Sequence, residues 1–124
     1  MRLRQTLALT YGLGDMIAMT TPQNARFRIG ETVVHKDYGI RAVVVDADAS
    51  FSLSDDWYDE MTENRPPKDK PWYRVLLDGT EYAAYVPELN LNPDPKNAPI
   101  EHPDIRTYLR EERRGVYAPL RRTN

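Results

Sequence analysis

A small, mainly β domain, an SH3-like antiparallel β-barrel followed by a C-terminal α-helix, is the fold class this sequence predicts. Three observations carry it. Ile40–Asp46 (IRAVVVD), Trp72–Asp78 (WYRVLLD) and Glu81–Val86 (EYAAYV) are short runs of branched and aromatic side chains that suit a pleated sheet. Gly30, Gly39 and Asp78-Gly79 interrupt those runs where tight turns are needed. Five short strands with one long excursion fit between Phe27 and Asn92, the dimensions of a strongly bent small barrel. An OB-like barrel is the alternative that the same signals allow.

Residues 1–24 are expected to be a disordered leader. Arg2 and Arg4 before LALTYGLGDMIAM resemble the start of a signal peptide, yet Asp15 interrupts the apolar stretch and no cleavage pattern follows. Met16 and Met19 stand close to where the ordered pattern begins, and one of them is the expected native start. Thr32–His35 (TVVH) then reads as a first strand with Val33 and Val34 on opposite faces. Lys36-Asp37-Tyr38-Gly39 is a turn leading into Ile40–Asp46, so the two strands form a hairpin.

Ala47–Asn64 holds Asp48, Asp55, Asp56, Asp59, Glu60 and Glu63 without one Lys or Arg. Leu53, Trp57, Tyr58 and Met61 recur there at helical spacing, and Ser54 precedes two acids as an N-cap would, predicting helix over Ser54–Met61. Pro66, Pro67 and Pro71 make Arg65–Pro71 a stiff lead-in, and the residue before each proline is pushed toward extended backbone. After the hairpin of Trp72–Asp78 and Glu81–Val86, Pro87-Glu88-Leu89 is one turn and Asn90–Asn92 a last short strand. NPDPKNAPIEHP is a linker by composition. Asp104–Arg114 reads as a helix, with Ile105, Tyr108 and Leu109 on one face and Gly115 as its C-cap. The expected organisation is therefore a leader (1–24), a barrel (25–92), and a linker, helix and basic tail (93–124).

The totals narrow the function. A chain of 124 residues makes one domain, and the absence of cysteine excludes disulfides and thiolate metal sites and fits a reducing cytoplasm. Net charge of −2 is not the footprint of a strongly DNA-binding domain, and no apolar run approaches the roughly 18 residues that span a bilayer.

IGETVVHKDYGIRAVVVDADASFSLSDDWY, RPPKDKPWYRVLLDG and YAAYVPELNL occur in this order and spacing over Phe27–Asn92. Together they closely resemble the HspQ family, small bacterial proteins with the YccV-like, hemimethylated-DNA-binding domain. The resemblance implies an SH3-like barrel without catalysis or cofactor. It implies two kinds of partner: an ATP-dependent, Lon-type protease with its client proteins, in a heat-shock role, or hemimethylated DNA near the replication origin. It also suggests a small homo-oligomer. The single block GETVVHKDYGIRA (Gly30–Ala42) is similar to the Tudor-like RNA-polymerase-interacting domain of CarD-type transcription factors, a more distant alternative.

The residues point to binding rather than turnover. No nucleophile sits in a recognisable turn motif, His35 reads as a structural hydrogen-bonding histidine, and Asp55–Glu63 lacks Ca²⁺-loop spacing. For a protein partner the candidate contacts are Asp55, Asp56, Trp57, Tyr58, Asp59 and Glu60, with Arg113, Arg114, Arg121 and Arg122 of the C-terminus. The aromatic loop either presents Trp57 and Tyr58 to that partner or folds back over the barrel mouth. For DNA the candidates are Arg26, Arg28, Arg65, Lys68 and Lys70, with Trp72 as a stacking face, and weak, salt-sensitive binding is expected. The first expectation is a protease adaptor and the second a DNA-binding module.

Overall fold

A computed structural model of the chain describes Ala8–Leu9 and residues 21–120. Eight strands and two helices follow in order. They are β1 (Ala8–Leu9), β2 (Thr32–His35), β3 (Arg41–Asp48), α1 (Asp55–Met61), β4 (Trp72–Leu77), β5 (Ala83–Pro87), β6 (Leu91–Pro93), α2 (Ile105–Tyr108), β7 (Leu109–Arg113) and β8 (Val116–Pro119). A 3₁₀ turn over Glu88–Asn90 joins β5 to β6. The protein is mainly β, with one six-stranded antiparallel sheet in the order β1-β5-β4-β3-β2-β6 and a separate β7–β8 hairpin. Its two outer strands, β1 and β6, do not pair, so the ladders among the described residues do not close the expected barrel.

The expected leader falls largely outside the described residues, as do Met16 and Met19. Within it, Ala8 stands opposite Tyr85 and Leu9 opposite Ala84.

Most predicted strands appear within a few residues of their expected limits, because pleat-compatible residues lie between strong turn signals. Gly39 and Gly79 take φ of 68° and 76°, the left-handed turn conformation that side chains disfavour. Between Val44 and Asp46 the β3–β4 register shifts, and the extra residue is a β-bulge. Upstream of it, Ala42 and Val44 face one core with Phe27, Tyr73, Val75 and Leu91. Val43 and Val45 face a second core with Ile29, Leu76, Ile100, Leu109 and Tyr117. β3 is thus covered on both sides, which explains its continuous apolar run.

The second core overturns the prediction for the C-terminus. The helix expected over Asp104–Arg114 stops at Tyr108, after one turn, and Leu109 enters extended backbone as the first residue of β7. Gly115, at φ 78°, is the turn of a hairpin and not a helix cap. Helix-forming LREERR is overridden because pairing with Val116–Pro119 buries Leu109 and Tyr117, whereas an isolated three-turn helix is marginal. The hairpin seats closely: a Cβ on Gly30 would lie 2.5 Å from the Tyr117 carbonyl oxygen.

Nor does the polar stretch before it hang loose. Arg41 donates from Nε to Asp94 (2.8 Å), from Nη1 to Asp78 (3.1 Å) and from Nη2 to the Ala98 carbonyl (2.5 Å). Asp78 accepts in turn from the Glu101 amide at 2.7 Å. One guanidinium therefore fastens residues 94–101 across β3 and the β4–β5 turn. No described helix is long and apolar enough to cross a membrane.

Candidate nucleic-acid and partner interfaces

The acidic helix rests on an aromatic platform. Ser54 caps α1 as predicted, its hydroxyl accepting from the Trp57 amide at 3.1 Å. Beneath the helix, Tyr58, Trp72 and Tyr85 form a third buried cluster, with Phe51, Leu53 and Trp57 packed against it. Trp72 stacks on Tyr85 with centroids 5.2 Å apart, and Phe51 meets both Trp72 and Tyr58 edge-on. The aromatic loop has folded back onto the sheet.

This placement corrects two candidate contacts. Tyr58 is 2% exposed, and its hydroxyl donates to the Pro66 carbonyl. Trp72 is fully buried with Nε1 donating to the Pro67 carbonyl at 2.9 Å, so it offers no stacking face. Instead of serving a protein partner or a base, each ties the proline segment to the platform. Trp57 is partly buried, and Asp55, Asp56, Asp59 and Glu60 are exposed on α1.

Two cations proposed for DNA are turned toward those acids. Lys68 bridges to Asp55 at 2.8 Å and lies 4.3 Å from the Tyr58 ring centroid. Arg65 bridges to Asp59 at 3.2 Å and lies 5.0 Å from the same ring. Lys68 holds the Asp55 carboxyl below its ordinary range, by hydrogen bond first and charge second. Arg65, expected to be extended ahead of Pro66, takes φ of 42° beside Asn64 at 62°. That reversal carries the chain from α1 back toward the platform. Lys70 is exposed on the same loop and Arg26 and Arg28 are exposed ahead of β2, but with Trp72 buried and Arg65 and Lys68 paired to α1 the six DNA candidates do not form one free cationic face.

A different set of cations lines two adjoining clefts. Antiparallel pairing of Val34 with Asn92 and His35 with Leu91 brings the turn after β2 beside the segment after β6. Two clefts flank Pro93-Asp94: one lined by Arg28, Glu31 and Asn97, the other by Lys36, Arg41 and Lys96. Arg28, Lys36 and Lys96 line these clefts together with the acids Glu31 and Asp94, and Asp94 is paired with Arg41, which also holds Asp78. In sheet order this edge lies at the far end from β5 and three strands from β4, the strands that carry the acidic platform. The net charge of −2 hides this separation. Sequence reasoning missed Lys36 and Lys96 because only the β2–β6 pairing brings them together.

His35, 2% exposed, lines the same cleft and holds the turn. Its Nδ1 accepts from the Asp37 amide at 3.1 Å and the Tyr38 amide at 3.4 Å, and its ring stacks on Tyr38. Arg113 and Arg114 are exposed at the tip of the β7–β8 hairpin; Arg121 and Arg122 lie outside the described residues.

The comparison with known families decides the relationship. Residues 25–115 match the family described as hemimethylated DNA-binding protein YccV like. The chain belongs to the YccV-like family. The match spans β2 to β7, so the β2–β6 edge, α1 and the platform all lie within the YccV-like region. No solved structure matches the chain.

Between platform and bulge lies a half-buried carboxylate pair. Arg74 Nη1 stands 2.9 Å from Asp48 Oδ2 and 3.5 Å from Asp46 Oδ2, and the Tyr85 hydroxyl donates to Asp48 at 2.6 Å. Burial raises the Asp46 carboxyl to about 6; the nearby Asp48 charge adds to this, while the Ala47 amide and Arg74 oppose it. Burial and the Asp48 bond also raise the Tyr85 phenol. Folding lifts Asp46 above its unfolded value, so the fold disfavours its charged form. Stability from this group is lost as pH rises through about 6 and recovered as pH falls toward 4. Asp46→Asn should therefore stabilise the protein by about 1–2 kcal/mol at pH 8 and leave it nearly unchanged at pH 4. Urea unfolding at the two pH values checks this, and parallel pH profiles for both proteins would count against it.

Proposed function

We propose that this protein is a non-catalytic binding module that docks DNA along its β2–β6 edge, with the preference for hemimethylated duplex that its family's description names. The single observation that carries the reading is the convergence of Arg28, Lys36 and Lys96 around Pro93-Asp94. An acidic chain can neutralise phosphates only where its cations gather on one face, and these gather away from α1. In this reading the six-stranded sheet serves as an SH3-like scaffold for that edge.

Three phosphate contacts predict a log–log salt slope of about −2.7, or a loss of about 40-fold between 50 and 200 mM salt. Arg28→Glu, Lys36→Glu and Lys96→Glu together should abolish the gel shift on hemimethylated duplex. Lys68→Glu with Lys70→Glu should change it little, since Lys68 is committed to Asp55. Equal loss in the two variants, or no wild-type shift at low salt, would overturn the assignment.

A second reading, an HspQ-like cytoplasmic adaptor that delivers clients to a Lon-type protease, draws on α1. Asp56 and Glu60 are exposed on a helix held rigid by its aromatic base, a suitable surface for a basic partner. Deletion from Arg113 onward would remove β8 and take Tyr117 from the core, so it cannot test the tail. Asp56→Lys with Glu60→Lys leaves the fold intact and should slow client turnover severalfold. Unchanged turnover would remove this reading.

A further inference from the structure

β5 is the strand on which the described sheet would end without Ala8–Leu9. On one side it pairs with β4 throughout, from Trp72 opposite Pro87 to Leu76 opposite Ala83. On the other, among the described residues, it pairs at Tyr85 and Ala84, with Ala8 and Leu9. An uncovered strand edge presents a row of backbone donors and acceptors that templates another strand. Here the cover comes from outside the family-matched residues 25–115, so the YccV-like region by itself leaves this edge open. Two large apolar residues are exposed beside it: Tyr82 immediately before β5, at 54%, and Leu89 shortly after, at 49%.

We infer that the outer edge of β5 is a β-augmentation site for an extended, uncharged, apolar segment of another protein, added antiparallel to β5. Ala8–Leu9 holds that place in cis. The chemistry of the partner is read from the occupant. Gln5–Gly14, QTLALTYGLG, carries no charge and is rich in Leu, Ala and Thr around the paired residues. Main-chain hydrogen bonds supply the affinity, and Tyr82 and Leu89 grip apolar side chains at the two ends. A strand the length of β5 covers about 17 Å, so five to seven partner residues, as an estimate, would fill it. In strand order β5 stands four places from β6, and peptide binding to its edge is read out separately from DNA binding.

A tethered occupant competes at high effective concentration, so the intact chain should bind a free peptide weakly. The probe is a fluorescent peptide carrying residues 5–14 of this chain, titrated into the full-length protein and into its Ala8→Pro, Leu9→Pro variant. Proline removes the ladder donors of β1 and leaves β5 intact. The variant should bind the peptide about tenfold or more tightly than the wild type, with amide exchange slowed in Ala83–Val86. Adding Tyr82→Ser and Leu89→Ser should reverse most of that gain.

Equal affinity for wild type and variant, no binding to the variant, or protection outside β5 would overturn the site. So would dimerisation of the variant without peptide uptake, which would make the edge a contact between copies. Should the proline variant not fold, Tyr82→Ser with Leu89→Ser in the otherwise wild-type chain decides instead. Loss of peptide-induced protection at β5 then supports the site, and unchanged protection defeats it.

Discussion

Arg41→Met should destabilise the protein by about 3–5 kcal/mol, a large part of the stability of a domain this size. The Asp94 side chain is 1% exposed, so removing its guanidinium partner strands a buried carboxylate. It also frees the Ala98 and Pro99 carbonyls and releases Asp78 from the network. The loss should be local first, with residues 94–101 and the β7–β8 hairpin losing amide protection ahead of β3 and β4. Arg41→Met combined with Asp94→Asn should recover much of the deficit, because the stranded charge and not the missing bond dominates the cost. Denaturant unfolding of the single and double variants checks this. A single variant within 1 kcal/mol of wild type, as a rough threshold, would show that the segment is held without the guanidinium.

Trp72→Ala should cost about 3–5 kcal/mol through the cavity it leaves. The side chain is fully buried, stacks on Tyr85, meets Phe51 and Trp57 edge-on, and anchors Pro67 through Nε1. Its removal takes the floor from under α1, so near-ultraviolet dichroism should collapse before the β signal is lost. Trp72→Phe keeps most of the packing but leaves the Pro67 carbonyl without its donor, and should cost about 1–3 kcal/mol. Equal penalties for Ala and Phe would assign the tryptophan's contribution to its hydrogen bond and not to the platform. Because the β2–β6 edge lies elsewhere in the sheet, Trp72→Phe should leave DNA affinity unchanged.

Much of the fold was legible in the residues. Ser54 with Asp55 and Asp56 announced a capped helix, and α1 begins one residue after Ser54. Asp78-Gly79 announced a hairpin, and Gly79 takes the positive φ it requires. The C-terminal segment was not legible, since LREERR favours a helix and its strand form exists only against Val116–Pro119 and the second core. One clue was present: AVVV in β3 has no polar alternation, so both sides of that strand need covering.

The candidate sites divide in the same way. Acids on α1 could be named from sequence because a helix keeps local neighbours together. Lys36 and Lys96 could not, because nothing local links the two turns that carry them. For the aromatic residues the sequence leaves both partner contact and fold-back open, because such side chains serve partners and cores equally well, and the burial of Tyr58 and Trp72 decides for the second.

By itself the amino-acid order determined strands β2 to β6, their turns, the capped acidic helix, the kinship with a YccV-like module and the low overall charge. Those features depend on backbone propensity and near neighbours, which act within a few residues. Tertiary structure alone decided that the C-terminus becomes a hairpin, that Arg41 binds the polar segment to the sheet, and that the cations collect on the β2–β6 edge. Each of these depends on groups brought together by strand pairing, and the free energy of burial and charge pairing follows distance in space, not separation along the chain.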